Sequence, residues 1–183
     1  MIIESILFVF IFCLSKKYNF SNIEYFPKKY ISFSLAFIVI NFVLILWAKT
    51  ATNWDNIRIL HLLSFVFLYP YMIKNYKYKG MIILITGVSL NFIVMYLNGL
   101  KMPIDGYFYK QIVSDANFMA TKMGRNLYHS LIDDNTLYYQ LADIIPLLKP
   151  YPFPKIISIG DIFIAIGFST VAITTIRGDY TEK

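Results

Sequence analysis

Asp161 is the single charge among the 21 residues from Ile156 to Ile176, a run otherwise apolar enough for lipid. A carboxylate at a bilayer centre costs about 2.5–3.5 kcal/mol on insertion scales and less near the edge, so such residues face a bundle interior or a wet cavity. There a lone carboxylate binds or braces. Beside a second carboxylate it does more, because like charges push one pKa up, and the pair then holds one proton as acid and base on a water. Candidate partners lie in the preceding segment: Asp105, Asp133, Asp134, Asp143 and His129. Of these, Asp143 and Asp105 are the candidates to join Asp161 as catalytic groups.

Other polar residues are expected at the same depth. Lys49 ends one apolar run, His61 lies near the end of the next, Asn91 and Asn98 fall seven apart on one face of another, and Ser158 precedes Asp161 by one helical turn. Together they outline a polar groove for a lipid, a peptide or a partner protein. Asn41 lies deeper and suits a helix-to-helix hydrogen bond. Ser158, Asp161, Ala165, Ser169 and Ala172 form one stripe of mostly small residues, where a neighbouring helix can come close. His129 and Asp133, four apart, are expected on one helix face. A single His with scattered carboxylates falls short of the three or four converging ligands of a metal site, so no metal or cofactor is expected. No nucleophile with a base, phosphate-cradling glycine loop or basic stripe with stacked aromatics is found, and nucleic acid is not an expected partner.

The elements that must position these groups follow from composition. The chain has 183 residues, 57% hydrophobic and 15% charged, with a mean hydropathy of +0.56, which makes the bilayer its solvent. Five apolar runs stand out, near 2–14, 30–48, 57–73, 81–100 and 156–176. Backbone groups in lipid must be paired internally, so these are helices, and the expected fold is an all-α integral membrane protein of about five spans forming one domain. The first run is short; it lacks a basic stretch before it and has Lys16 and Lys17 after it, so a retained segment is expected and not a cleaved signal peptide. Pro70 should bend the third span. Cys13, the one cysteine, precludes an internal disulfide.

The formal charge of +6 is distributed as short clusters. Lys16, Lys17, Lys28 and Lys29 follow the first run, and Lys74, Lys77 and Lys79 follow the third, whereas residues 101–155 nearly balance six basic residues with five aspartates. The positive-inside rule then puts the N-terminus outside, the C-terminus in the cytoplasm and 101–155 outside, in a multi-pass protein of a bacterial cytoplasmic membrane. Within that segment two short surface helices are expected. One spans "SDANFMATKMG", capped by Ser114 or Asp115 and stopped by Gly124. The other starts at Asp134 or Asn135, turns Leu137, Leu141, Ile144 and Ile145 to the membrane surface, and ends at Pro146. "PLLKPYPFPK" should lead stiffly into the last span.

"NGLKMPID", "HSLIDDNTLYYQLADIIPL" and "FPKIISIGDIFIAIG" resemble an uncharacterised family of small bacterial integral membrane proteins, a domain of unknown function. A more distant likeness is to lipoprotein signal peptidase, a four-helix membrane aspartyl protease. That family's closing motif has Asp followed at +3 by an aliphatic residue and at +6 by Gly, which Asp161, Ile164 and Gly167 fit. Asn91 and Gly99 fit its penultimate span, but Val94 stands where the second aspartate would be, and Ser158 replaces an Asn. The resemblance implies a membrane-embedded hydrolase scaffold with one of its two carboxylates missing.

Overall fold

A computed structural model describes residues 2–48, 50–51, 54–179 and 181. Five long helical stretches are present where the apolar runs predict them. They are α1 (Ile2–Ser15), α2 (Ile31–Ala48), α3 (Asp55–Ser64) continuing through a 3-10 turn (Phe65–Phe67) into α4 (Leu68–Lys74), α5 (Met81–Leu97) and α8 (Ile159–Arg177). Three of these stretches, Ile31–Ala48, Asp55–Lys74 and Ile159–Arg177, are long and apolar enough to cross a membrane; Glu4–Ser15 and Met81–Leu97 are shorter. The tightened turn at Phe65–Phe67 lies one turn ahead of Pro70, whose missing N–H leaves the Val66 carbonyl without its usual partner.

The expectation of an all-α chain needs correction. The segment between α5 and α8 carries α6 (Gly106–Ile112), α7 (Asp115–Lys122) and four three-residue strands: β1 (Met102–Ile104), β2 (His129–Leu131), β3 (Ile145–Leu147) and β4 (Lys155–Ile157). β1 and β2 pair in parallel with Met102 opposite His129, and β3 and β4 pair antiparallel with Ile145 opposite Ile157. An isolated parallel bridge joins Ile104 to Asp143 on the other side of β1.

Helix α7 forms as its cap predicts, with Ser114 Oγ accepting from the Asn117 N–H and Gly124 at φ +72° beyond its end. The second surface helix does not form. Asp133 closes a turn through the Asn135 N–H and the Thr136 hydroxyl, Tyr138 takes a left-handed φ of +53°, and Pro146 sits in β3, so a single 3-10 turn (Tyr139–Leu141) is left. The proline-rich stretch is also not an extended lead: β3 and β4 pair as a hairpin, and residues 148–154 double back between them.

Helices α5 and α8 make the central pairing, and it is a glycine seam. A Cβ at Gly87 would lie 2.6 Å from the Gly160 carbonyl oxygen, and one at Gly167 would lie 2.5 Å from the Leu84 nitrogen. Close backbone approach of this kind substitutes dispersion contacts for the hydrophobic drive that lipid cannot supply. The expected small-residue stripe is not the face of closest approach: its Ala165, Ser169 and Ala172 turn toward α1, the first two lining a cleft with Glu4, Ser5 and Phe8, while a neighbouring face of Gly160, Ile164 and Gly167 meets α5.

Side-chain bonds sort the connections to two ends. At one end Asn22 donates to the Ile176 carbonyl, Asn75 to the Lys29 carbonyl, and Lys79 pairs with Asp179. At the other, Lys155 pairs with Glu4, Arg58 donates to the Gly124 and Asn126 carbonyls, and Asn98 holds Leu137.

Candidate functional site

Asp161 enters the site through the first turn of α8. Ser158 caps that helix: its Oγ accepts from the Asp161 N–H at 3.0 Å, and the Asp161 carboxylate accepts from the Ser158 N–H at 3.3 Å. This capping box satisfies two of the donors a helix start leaves open. Helix α5 supplies the third member. Asn91 Nδ2 donates to Asp161 Oδ1 at 3.0 Å, and Ser158 Oγ donates to Asn91 Oδ1 at 2.9 Å. Asn91 reaches both because Gly160 has no side chain; its side-chain amide fills the space a Cβ there would need. Ser158 is fully buried, and Asp161 is half-buried.

The other candidate carboxylate is Asp143, carried by the segment between α5 and α8 and not by α5. Val94, at the position where the peptidase likeness would require an aspartate, is fully buried in an apolar cluster with Leu62, Met95 and Met102. Asp143 instead hangs on β1, its N–H donating to the Pro103 carbonyl and its carbonyl accepting from the Asp105 N–H, both at 2.9 Å. The hairpin of β3 and β4 then ties this strand edge to the start of α8. Its side chain is 8% exposed; Oδ2 faces His129 Nε2 at 3.5 Å, and Oδ1 is buried without any partner. Burial pushes the Asp143 carboxyl above the ordinary carboxylate range; the His129 hydrogen bond opposes this and the Asp161 charge adds to it.

His129 is held in turn by Asn126, whose Oδ1 accepts from the Tyr128 and His129 N–H groups while its Nδ2 donates to Tyr109 and Thr121 hydroxyls. Neither Asn126 nor the glycine seam is singled out by residue type. The legible signal for the seam was spacing, since Gly160 and Gly167 lie seven apart on one helix face. For Asn126 the sequence carries no such mark.

The remaining expected residues divide. His61 Nδ1 donates to Asn41 Oδ1 at 2.6 Å, and Asn41 donates to Ser64 Oγ, so His61 joins α2 to α3 and meets the Tyr128 ring edge-on at 4.9 Å. Asn98 caps α5 and clamps Leu137 from both sides, with bonds of 2.9 Å each way. Asp105 is the cap of α6, accepting from the Phe108 N–H. His129 and Asp133 do not share a helix face, because His129 lies on β2 and Asp133 in the following turn, where Asp134 is exposed. Lys49 lies outside the described residues. Among the described residues no three of His, Cys, Asp and Glu converge closely enough for a metal ion.

The site is thus two carboxylates with opposite surroundings. Asp161 is half-buried and hydrogen-bonded; Asp143 is buried and short of donors. Each carboxylate has acceptor capacity left for a cationic donor.

Comparison with known proteins gives a family but no activity. A model of a family of unknown function, DUF5317, matches residues 26–173. A relative described as an uncharacterised protein of Thermotoga maritima is 33% identical over 105 residues, which is 57% of this chain. The chain spans 57% of that relative's length. No solved structure matches.

Proposed function

We propose, for a chain that belongs to the family of unknown function DUF5317, that it is a five-span membrane protein binding a lipid, peptide or partner protein in a polar groove at its outer face. Asp161 and Asp143 are the groups that hold this ligand, with Asn91, Ser158 and His129 orienting them. The observation that carries the reading is the unpartnered, buried Oδ1 of Asp143, in a segment that the β3 and β4 hairpin ties to the start of α8, where Asp161 lies. A group in that state costs free energy unless a donor arrives.

The orientation follows from charge: the Lys-rich connections at one end lie in the cytoplasm of a bacterial cell and residues 101–155 lie outside. The grouping of the connections at two ends supports this arrangement, because the Lys-rich loops share an end with the C-terminus.

Gentle extraction followed by native mass spectrometry tests the reading. Wild-type protein is expected to carry a bound species that Asp143→Asn and Asp161→Asn each lose, with no cleavage product formed. A second reading, a membrane-embedded hydrolase on a scaffold like that of lipoprotein signal peptidase, is favoured by the raised carboxyl of Asp143, to which the Asp161 charge adds. Cleavage of a lipopeptide by the pure protein, abolished by Asp161→Asn, would establish that alternative and overturn the binding-only role.

A further inference from the structure

At the end of the bundle opposite Asp161, two lysine-bearing connections are fastened to each other. Asn75, 2% exposed, caps the C-terminus of α4 and donates to the Lys29 carbonyl at 2.7 Å, so the residues before α2 meet those that close α4. Tyr30 follows Lys29 at a left-handed φ of +58°, a conformation that non-glycine residues rarely adopt. Its ring lies against Lys74, whose Nζ is 5.6 Å from the ring centroid. Two contacts thus join Lys28 and Lys29 to Lys74, and all three lysines are exposed. Among the described residues none of the three has a carboxylate within ion-pair distance, and Asp179 at the same end is taken by Lys79. Beyond Tyr30 the surface turns apolar. Tyr30 packs on Phe33 with ring centroids 5.7 Å apart, Phe33 packs on Phe67 at 6.3 Å, and the same two helical stretches expose Ile31, Leu35 and Ile73.

We propose that Lys28, Lys29 and Lys74 hold the phosphate of an anionic phospholipid whose acyl chains lie along the aromatic row from Tyr30 to Phe67. The inference goes beyond the polar groove and does not depend on Asp143 or Asp161. A lysine ammonium is a point charge with three N–H donors, and phosphate oxygens are its natural acceptors. Three such groups without carboxylate partners keep their full charge for an incoming anion, and Lys77, exposed on the same connection as Lys74, adds to the field. A lipid is favoured over a soluble phosphate by what lies next to the lysines. Tyr30 marks the level where an amphipathic ring suits the headgroup zone, and the exposed aromatic and aliphatic side chains continue from it along the helices, where acyl chains and not water would cover them. An acidic protein segment would match the lysines but leave that row uncovered. The buried Asn75 amide and the backward turn at Tyr30 fix the two connections against each other, which makes this a defined place and not only a share of the charge at that end.

The test places full-length protein in phosphatidylcholine nanodiscs containing a minor share of phosphatidylglycerol with the same acyl chains. Bulk lipid is then removed and the retained species are read by native mass spectrometry. Wild type is expected to enrich phosphatidylglycerol about tenfold over its share of the bilayer. A lysine near the surface is worth about fivefold, so Lys29→Gln combined with Lys74→Gln should abolish the enrichment. Lys16→Gln combined with Lys17→Gln removes as much charge from the same end, on another connection, and should leave the enrichment in place. All four positions are exposed, so the variants are expected to unfold thermally as wild type does in phosphatidylcholine alone. No enrichment in wild type, or equal loss in the two double variants, overturns the proposal. So does displacement of the lipid by millimolar glycerol phosphate, which would assign the lysines to a free phosphate, or by an acidic peptide, which would assign them to a protein. Asp143→Asn and Asp161→Asn are expected to keep the enrichment, so the failure of this inference and the failure of the polar-groove reading are told apart.

Discussion

A carboxylate that is buried and short of donors, as Asp143 is, gains more from a proton in the folded state than in the unfolded chain. Its folded pKa lies above the unfolded value, so its contribution to stability is fully present below about pH 3.9 and is lost as pH rises through the folded pKa. Wild-type protein should therefore lose stability relative to Asp143→Asn between pH 4 and neutrality, in denaturation curves taken in one detergent. Parallel curves would show that Asp143 is not the responsible group. Asn91 makes the complementary case. Asn91→Ala strips a donor from half-buried Asp161 and an acceptor from fully buried Ser158, and should lower stability by about 1–3 kcal/mol. Asp161 was legible as a site residue because a charge in an apolar run announces itself. Asp143 was one aspartate among five in its segment, and its burial depends on strand pairings that no local spacing encodes.

At the scale of elements, the α5 and α8 seam sets how accurately the site is built, since Asn91 crosses at the very glycine that makes room for it. Gly160→Ala drives a methyl into the Asn91 amide, and Gly87→Ala into the Gly160 carbonyl; each should cost about 1–3 kcal/mol in thermal unfolding. Gly106→Ala is the control, because its new Cβ would meet nothing nearer than 3.8 Å. Ile164 and Gly167, the two motif positions after Asp161, are accounted for by this packing: Ile164 lies against Gly87, and Gly167 against Leu84. The segment between α5 and α8 depends on single clamps of the same kind. Asn98→Ala frees Leu137 from both of its bonds, and amide exchange should rise across residues 133–141 while α5 keeps its protection. The misplaced surface helix shows why this segment resists reading. Leu137, Leu141, Ile144 and Ile145 have helical spacing, but the turn chemistry of Asp133 and the pairing of Ile145 with Ile157 override it.

For the whole molecule, the decisive quantity is which end faces the cell exterior. On a Cys13→Ser background, Lys77→Cys and Asp134→Cys should label from opposite faces of intact cells, Asp134→Cys by impermeant reagent from outside and Lys77→Cys after permeabilisation. Reversed labelling would put the Asp143 and Asp161 pair at the cytoplasmic leaflet. The sequence alone was enough to determine that this chain carries helices long and apolar enough to cross a membrane, where its long helices run and which connections share a charge bias, because those properties are sums over local residues and the helix satisfies its own backbone. The tertiary structure alone decided that Asp143 is buried on the edge of β1, that Val94 is core and that a glycine seam admits Asn91. Asn91 and Asp161 stand 70 positions apart, and chain reversal in three dimensions, not spacing along the sequence, brings such residues together.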